Sequence, residues 1–212
     1  FVSQRGIFGF GVSNGGSGHI KLRGVGGDRA SAVLMMVDGQ PQFAGIYSHH
    51  IADFYDKEYV ERVEVLRGPG SVLYGSNAMA GTINVITKNA SQRGVRTTIQ
   101  SQYGSYNTWL SSLTNTVRFG KFSSLISLSY NRTDGHRENM EFEQYGGYAK
   151  LGYDFNAAWK VWGDVNITRF KASNPGETDN PYIDNDSRIT RGMASFALEN
   201  HYEKSSGALS FF

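Results

Sequence analysis

Along the second half of the chain, apolar and polar residues alternate with a period of two. Between Trp109 and Phe119 the odd positions hold Trp109, Leu113, Val117 and Phe119, and the even ones hold Ser112, Thr114, Thr116 and Arg118. From Phe122 to Tyr130 one face carries Phe122, Ile126, Leu128 and Tyr130, against a face that is mostly serine. Tyr145, Ala149, Leu151, Tyr153 and Phe155 stand opposite Gln144, Lys150 and Asp154; Trp159, Val161, Val165 and Ile167 stand opposite Lys160, Asp164 and Asn166. Successive strand side chains point to opposite faces, so each segment predicts a strand with one apolar and one polar side. Residues 1–88 have a different texture. Short β-branched or aliphatic runs, Ser31–Val37 and Thr82–Thr87, predict buried strands, with Asp38-Gly39 as a turn after the first. Ile51–Leu66 starts helical and passes into a strand, and Ser71–Met79 suits a short helix, which gives an α+β first segment.

The connections sharpen the reading of the second half. Gly120-Lys121 and Asn156-Ala157 are tight turns, whereas Thr133–Glu141 and Ser173–Arg188 are long and polar. Alternating short and long connections, with aromatics near strand ends (Tyr103, Tyr106, Trp109, Phe119, Tyr130, Phe155, Trp159), fit an antiparallel transmembrane β-barrel. A soluble β-sandwich alternates too and is the competing architecture. Six strands and the start of a seventh at Ala208–Phe212 would leave open edges, which a bilayer does not tolerate, so a barrel built from them would be partial.

Composition changes this picture little. The net charge of +2 gives no argument for nucleic acid. Mean hydropathy is −0.40, and no apolar stretch approaches the roughly 20 residues of a membrane helix. Barrel strands average out as polar, so this does not speak against a membrane. The absence of Cys removes disulfides and Cys-type zinc sites. The sequence starts at Phe1 without a Met, a basic n-region or a cleavage site, which predicts a processed chain or a fragment.

Val60-Glu-Arg-Val-Glu-Val-Leu-Arg-Gly-Pro-Gly-Ser-Val-Leu-Tyr-Gly-Ser-Asn-Ala-Met-Ala-Gly-Thr-Ile-Asn-Val-Ile-Thr-Lys88 resembles the plug signature of TonB-dependent outer-membrane receptors. Ile20-Lys-Leu-Arg-Gly24 and Val33-Leu-Met-Met-Val-Asp-Gly39 resemble it too, in matching order and spacing. Tyr103–Thr108 and Thr133–Glu138 look like the first outside loops of that family. The wording of Leu66–Lys88 resembles the siderophore, haem and cobalamin branch more than the glycan-importing branch. The resemblance implies an α+β plug domain at 1–88 lacking its start, followed at 89–212 by about six to seven strands of an antiparallel transmembrane β-barrel. The complete family barrel has about 22 strands.

What the resemblance implies about function is active import. A ferric siderophore, haem or cobalamin would bind plug apices and outer loops, and TonB would pull the plug from the periplasm through a segment missing here. No catalysis, required cofactor or nucleic acid is implied, and the setting is the outer membrane of a Gram-negative bacterium. Arg23 and Arg67 would face carboxylates of the barrel wall; alternatively they tie plug strands together, with Glu61 and Glu64 as internal partners. Ligand-facing candidates are Asn14 in the Ser13–Gly18 loop, Gln42, Phe43, Tyr47, His49 and His50 in the next apex, and His136 and Arg137 in an outside loop. His49 and His50 could hold haem iron or another metal, or belong to a solvated loop.

The residues themselves offer little for enzymology. His19, Asp28 and Ser31 can be written as a triad, but no nucleophile elbow surrounds the serine. Gly68-Pro69-Gly70 lacks the Gly-Lys-Ser/Thr of a phosphate loop. Asp53, Asp56 and Glu58 do not have calcium-loop spacing. A non-transporting surface binder or adhesin is the alternative to a transporter, and a passive porin would leave Phe1–Lys88 without a purpose.

Overall fold

The computed structural model describes residues 2–3, 19–20, 22, 33–42, 56–75, 78–90, 92–181 and 185–212. Strands β1 (Val2–Ser3) and β2 (His19–Ile20) pair antiparallel. A four-stranded sheet follows, in the order β4-β3-β6-β5. It contains β3 (Val33–Val37), β4 (Gln40–Pro41), β5 (Val60–Arg67) and β6 (Gly81–Thr87). β3 and β6 run parallel, and β5 lies antiparallel to β6. The apolar run Val33–Val37 is buried along its whole length. Leu34 and Met36 pack with Ala78, and Met35 and Val37 pack with Val85 and Tyr59, so β3 buries both faces. That is why its sequence is continuous rather than alternating.

Asp38 and Gly39 turn the chain from β3 to β4 with φ of 47° and 79°, the doubly left-handed pattern that Asp-Gly favours. Helix is scarce. A 3₁₀ turn at Lys57–Tyr59 precedes β5, and the helix expected after Ser71 is a single turn, α1 (Ser71–Tyr74). Residues 51–55, where a helix was expected to begin, lie outside the described residues. Gly81 opens β6 at φ +143°, where a Cβ would sit 2.2 Å from the Leu66 carbonyl oxygen, so only glycine fits the close approach of β5 and β6.

The second sheet is a seven-stranded antiparallel meander in sequence order. Its strands are β7 (Gly94–Gly104), β8 (Thr108–Phe119), β9 (Phe122–Thr133), β10 (Phe142–Asp154), β11 (Trp159–Ser173), β12 (Asp186–His201) and β13 (Ser206–Phe211). Several strands run beyond the alternating segments. β10 starts at Phe142 and β11 reaches Ser173, which shortens the loop expected at Ser173–Arg188 to residues 174–185. Connections at one end are short (120–121, 155–158, 202–205), and those at the other include 134–141 and 174–185. The first connection at the long-loop end is itself tight, with Tyr106 and Asn107 both at positive φ. Among the described residues no helix is long and apolar enough to cross a membrane, which says nothing about crossing by strands.

Candidate functional site

The two sheets meet along one face of β8–β11. Register fixes that face: Thr114 pairs with Ser127, Ser127 with Tyr148, and Tyr148 with Asn166. Side chains at these positions and at every second residue along each strand turn inward, toward the small sheet. Tyr59, almost fully buried at the end of the 3₁₀ turn, stacks on Tyr148 with ring centroids 4.4 Å apart. The Asn166 amide donates to the Tyr59 hydroxyl at 3.4 Å. Met35, Val37 and Val85 from the small sheet join Leu125 and Tyr148 from the long one in one apolar cluster. Leu125 is therefore an apolar residue on the otherwise polar inner face of β9, placed where the small sheet presses against it.

Beside this cluster lies a charged hub. One Asp38 carboxylate oxygen accepts from the Thr87 backbone N–H at 2.9 Å. The other accepts from the Thr87 hydroxyl and from Lys150 Nζ, both at 2.6 Å. Lys150 also donates to the Thr87 hydroxyl oxygen at 3.1 Å and lies 4.5 Å from the centre of the Trp162 ring. Trp162 in turn donates to Glu199 at 2.6 Å, and Glu199 pairs with Lys160 at 2.8 Å. Nearby, Ser195 donates to Asp164. The Glu58 carbonyl accepts from Lys88 at 2.5 Å and from Thr114 at 3.5 Å. Such a seam is held by directional bonds as well as by burial. It comes apart only when a mostly buried ion pair is separated, and separating one is costly.

Next to the hub a narrow polar crevice separates the sheets. Asp56 and Tyr59 line one side, and Ser127, Gln144, Tyr148 and Asn166 line the other. Gly146 leaves room there: a Cβ would meet the Ser129 hydroxyl at 2.4 Å.

The sequence-derived candidates fall in three groups. Asn14, Arg23, Phe43, Tyr47, His49 and His50 lie outside the described residues. Arg67, Glu61 and Glu64 are exposed on β5. Glu64 pairs with Arg62 at 2.8 Å, and Glu61 lies 4.0 Å from the same guanidinium, so the internal partner of these acids is Arg62 rather than Arg67. Among the described residues, the hydrogen-bonded and stacked contacts to the seven-stranded sheet are made by Asp38, Glu58, Tyr59 and Thr87. Gln42 is buried; its backbone N–H reaches the Met35 carbonyl at 2.8 Å and its side-chain amide the Gln40 carbonyl at 3.1 Å. Among the described residues no group of His, Asp and Glu is arranged to hold a metal.

At the long-loop end, His136 is exposed and sets its ring edge-on to Tyr106 at 6.2 Å. Arg137 spans two loops, donating to the carbonyls of Gly176 and Glu177 at 3.2 and 3.3 Å. Its donors hold the loops together, a role the sequence did not announce. Asp134 accepts from Arg132 at 2.8 Å, and that bond holds its carboxyl below the usual aspartate value. Asp38 was read in the sequence only as a turn residue, and Lys150 and Asp164 only as members of polar faces. An ionisable residue in the middle of a barrel strand, turned inward, is a signal that could have flagged both.

Comparison with known proteins agrees with this geometry. Residues 3–82 match the TonB-dependent Receptor Plug Domain family. Over 80 residues, 36% of the chain, the sequence is 42% identical to the Vitamin B12 transporter BtuB of Vibrio vulnificus; the match covers 12% of that protein. The fold resembles the copper transporter OprC, with a TM-score of 0.74 and 16% identity over 92% of this chain and 30% of that one. It also resembles the ferric yersiniabactin uptake receptor FyuA of Yersinia pestis, with a TM-score of 0.69 and 21% identity over 93% of this chain and 35% of that one. The chain thus spans only a fraction of the length of these relatives. Residues 3–82 carry a plug domain of the kind found in TonB-dependent receptors, and it is joined to seven antiparallel strands with the fold of the barrels in these transporters.

Proposed function

We propose that this chain serves TonB-dependent import of a scarce metal chelate or cofactor across the outer membrane of a Gram-negative bacterium. Residues 1–88 act as the plug and residues 89–212 as part of the barrel wall. The cargo class is a ferric siderophore, haem or cobalamin, in keeping with a relative named for vitamin B12 transport and a structural neighbour named for ferric yersiniabactin uptake. Ligand would meet the plug apices around Asn14 and Gln42–His50, together with the outer loops. TonB would act on the plug from the periplasmic side.

The observation that carries this reading is the seam at Asp38, Thr87 and Lys150. A plug that must seal a wide pore yet be moved by force needs attachments that are strong in place and few in number. A mostly buried ion pair beside a polar crevice meets that need better than a wholly dry apolar interface.

The test uses the full-length receptor. Binding is titrated in detergent with haem, ferric siderophores and cobalamin, and uptake of the tightest ligand is measured in cells with and without TonB. Selective binding with TonB-dependent uptake is the expected result. Tight binding with no TonB-dependent uptake would leave a surface binder, and no binding of any probe would remove the cargo class.

A further inference from the structure

Register also assigns the outer face of the long sheet. Since Tyr148, Lys150 and Asn166 turn toward the plug, Ala149, Leu151 and Val165 turn away. The middle of that outer face is apolar, with exposed Ile99, Ile126, Leu151 and Ile167. The charges on its strands are all at the long-loop end: Arg132 on β9, Glu143 on β10, Arg169 and Lys171 on β11, and Asp186 and Arg188 on β12. At the short-turn end the outer strand positions hold Phe119, Phe122, Tyr153 and Trp159. Arg93 and Lys121 lie there too, but beyond the strands, with Arg93 over the Phe119 ring. A rim that merely met water would not collect strand charges at one end only.

The patch also has the wrong balance for self-neutralisation. Lys171 and Arg188 are direct cross-strand partners, and Arg169 is the next outward residue on β11, paired with Thr190. Like charges at opposed positions lie about 5 Å apart and repel. Asp186 answers Lys171 at 2.8 Å and accepts from Ser173 at 2.7 Å. Glu143 accepts from the hydroxyls of Tyr130 and Tyr145, each at 3.0 Å. Arg132 is held by Asp134. Neither Arg169 nor Arg188 makes a side-chain hydrogen bond or ion pair with another described residue. Both are exposed, and Arg169 stands across from Tyr145, at the edge of the apolar band.

We propose that Arg169, Lys171 and Arg188 bind the phosphate-bearing headgroup of a lipid in the outward leaflet, which in this kind of membrane is a phosphorylated glycolipid. The proposal rests on the outer-membrane reading above. A guanidinium fork pairs with phosphate oxygens through two parallel bonds, and the long stems of Arg and Lys lie along apolar surface while their heads reach the boundary. Basic clusters at that depth recognise anionic headgroups. Glu143 and Asp186 limit the positive field and hold the flanking tyrosines and Lys171 in place.

The experiment is lipid binding by the full-length receptor in detergent, read by native mass spectrometry. The probes are bisphosphorylated lipid A and its dephosphorylated form, with inorganic phosphate as competitor. The wild-type protein should retain the bisphosphorylated lipid, and the Arg169→Gln/Lys171→Gln/Arg188→Gln variant should bind it about tenfold more weakly. The dephosphorylated lipid should bind both proteins weakly and alike. Equal retention by wild type and variant, or indifference to the phosphates, overturns the proposal. Displacement by millimolar inorganic phosphate would make this a free-anion site and overturn the lipid assignment. Heat-modifiable migration of each protein on gels checks folding; if the triple variant fails that check, Arg169→Gln and Arg188→Gln singly should each lose several-fold. A wild-type chain that does not fractionate with the outer membrane would defeat the barrel reading itself. Correct insertion with phosphate-blind binding would defeat only this site.

Discussion

The inner and outer faces of the barrel wall are made by the same strands, one residue out of step. On β10, Tyr148 and Lys150 point at the plug, while Ala149 and Leu151 point away from it. The inner face is specific. Lys150 has a named carboxylate, a hydroxyl and an indole ring as partners, and Tyr148 has one tyrosine ring to stack on. The outer face is generic across its middle, where side chains need only be apolar and the right length for a strand. Inner positions are therefore fixed by a partner distant in sequence, and outer ones by a solvent. A substitution should be judged by which of these it offends.

The largest effect is expected from breaking the inner face at its ion pair. Lys150→Met leaves the Asp38 carboxylate without its cation and should loosen the plug by about 3–5 kcal/mol. Asp38→Asn combined with Lys150→Met should recover most of that loss, because no lone charge remains. Plug retention is followed as channel conductance through the reconstituted receptor under increasing urea. An unaltered threshold in Lys150→Met would remove the pair from the attachment. The outer face is tested one residue away from an inner one. Ile99→Arg, on the outer face in the middle of β7, should destabilise the barrel by about 2–4 kcal/mol in vesicles if that face meets lipid as proposed. Gln100→Arg, turned inward on the same strand, should be close to neutral. Equal costs would show that the two faces had been assigned the wrong way round. The smallest effect should come from outside both faces. Arg137→Ala removes the bonds to Gly176 and Glu177 at a cost of about 1 kcal/mol. Hydrogen exchange should quicken in 134–141 and 174–181 without a change in global unfolding. A large fall in ligand affinity with exchange unchanged would instead make Arg137 a ligand contact.

Local pattern carried the wall strands because pleating and a two-sided environment act on every residue of a strand. Strand ends were less legible. Phe142 and Ala172 pack with Phe170 in a cluster at the long-loop end, and that packing extends β10 and β11 past the alternating segments. The long motif around Leu66–Lys88 carried the plug by resemblance, yet the seam could not be read from either half. Lys150 and Asp38 are 112 residues apart, and although an inward ionisable residue marks Lys150 as unusual, nothing local names its partner. Asp38, which the sequence marks as a turn residue, has a carboxylate with a second use as an anchor to the wall. His49 and His50 stay as candidates for mutation in the ligand titration.

The position of Asp38 has a mechanical consequence. β3 enters the plug sheet at Val33, runs parallel to β6, and ends at the residue anchored to Lys150 and Thr87. Tension applied to the chain ahead of Val33 would run along the strand axis. It would load the ladder between β3 and β6 in shear, with all rungs sharing the strain, before reaching the anchor at the far end. Shear resists until several rungs fail together, so such a linkage gives way in a step rather than by gradual peeling. A barrier built this way would stay shut under thermal jostling and yield to a sustained, directed pull.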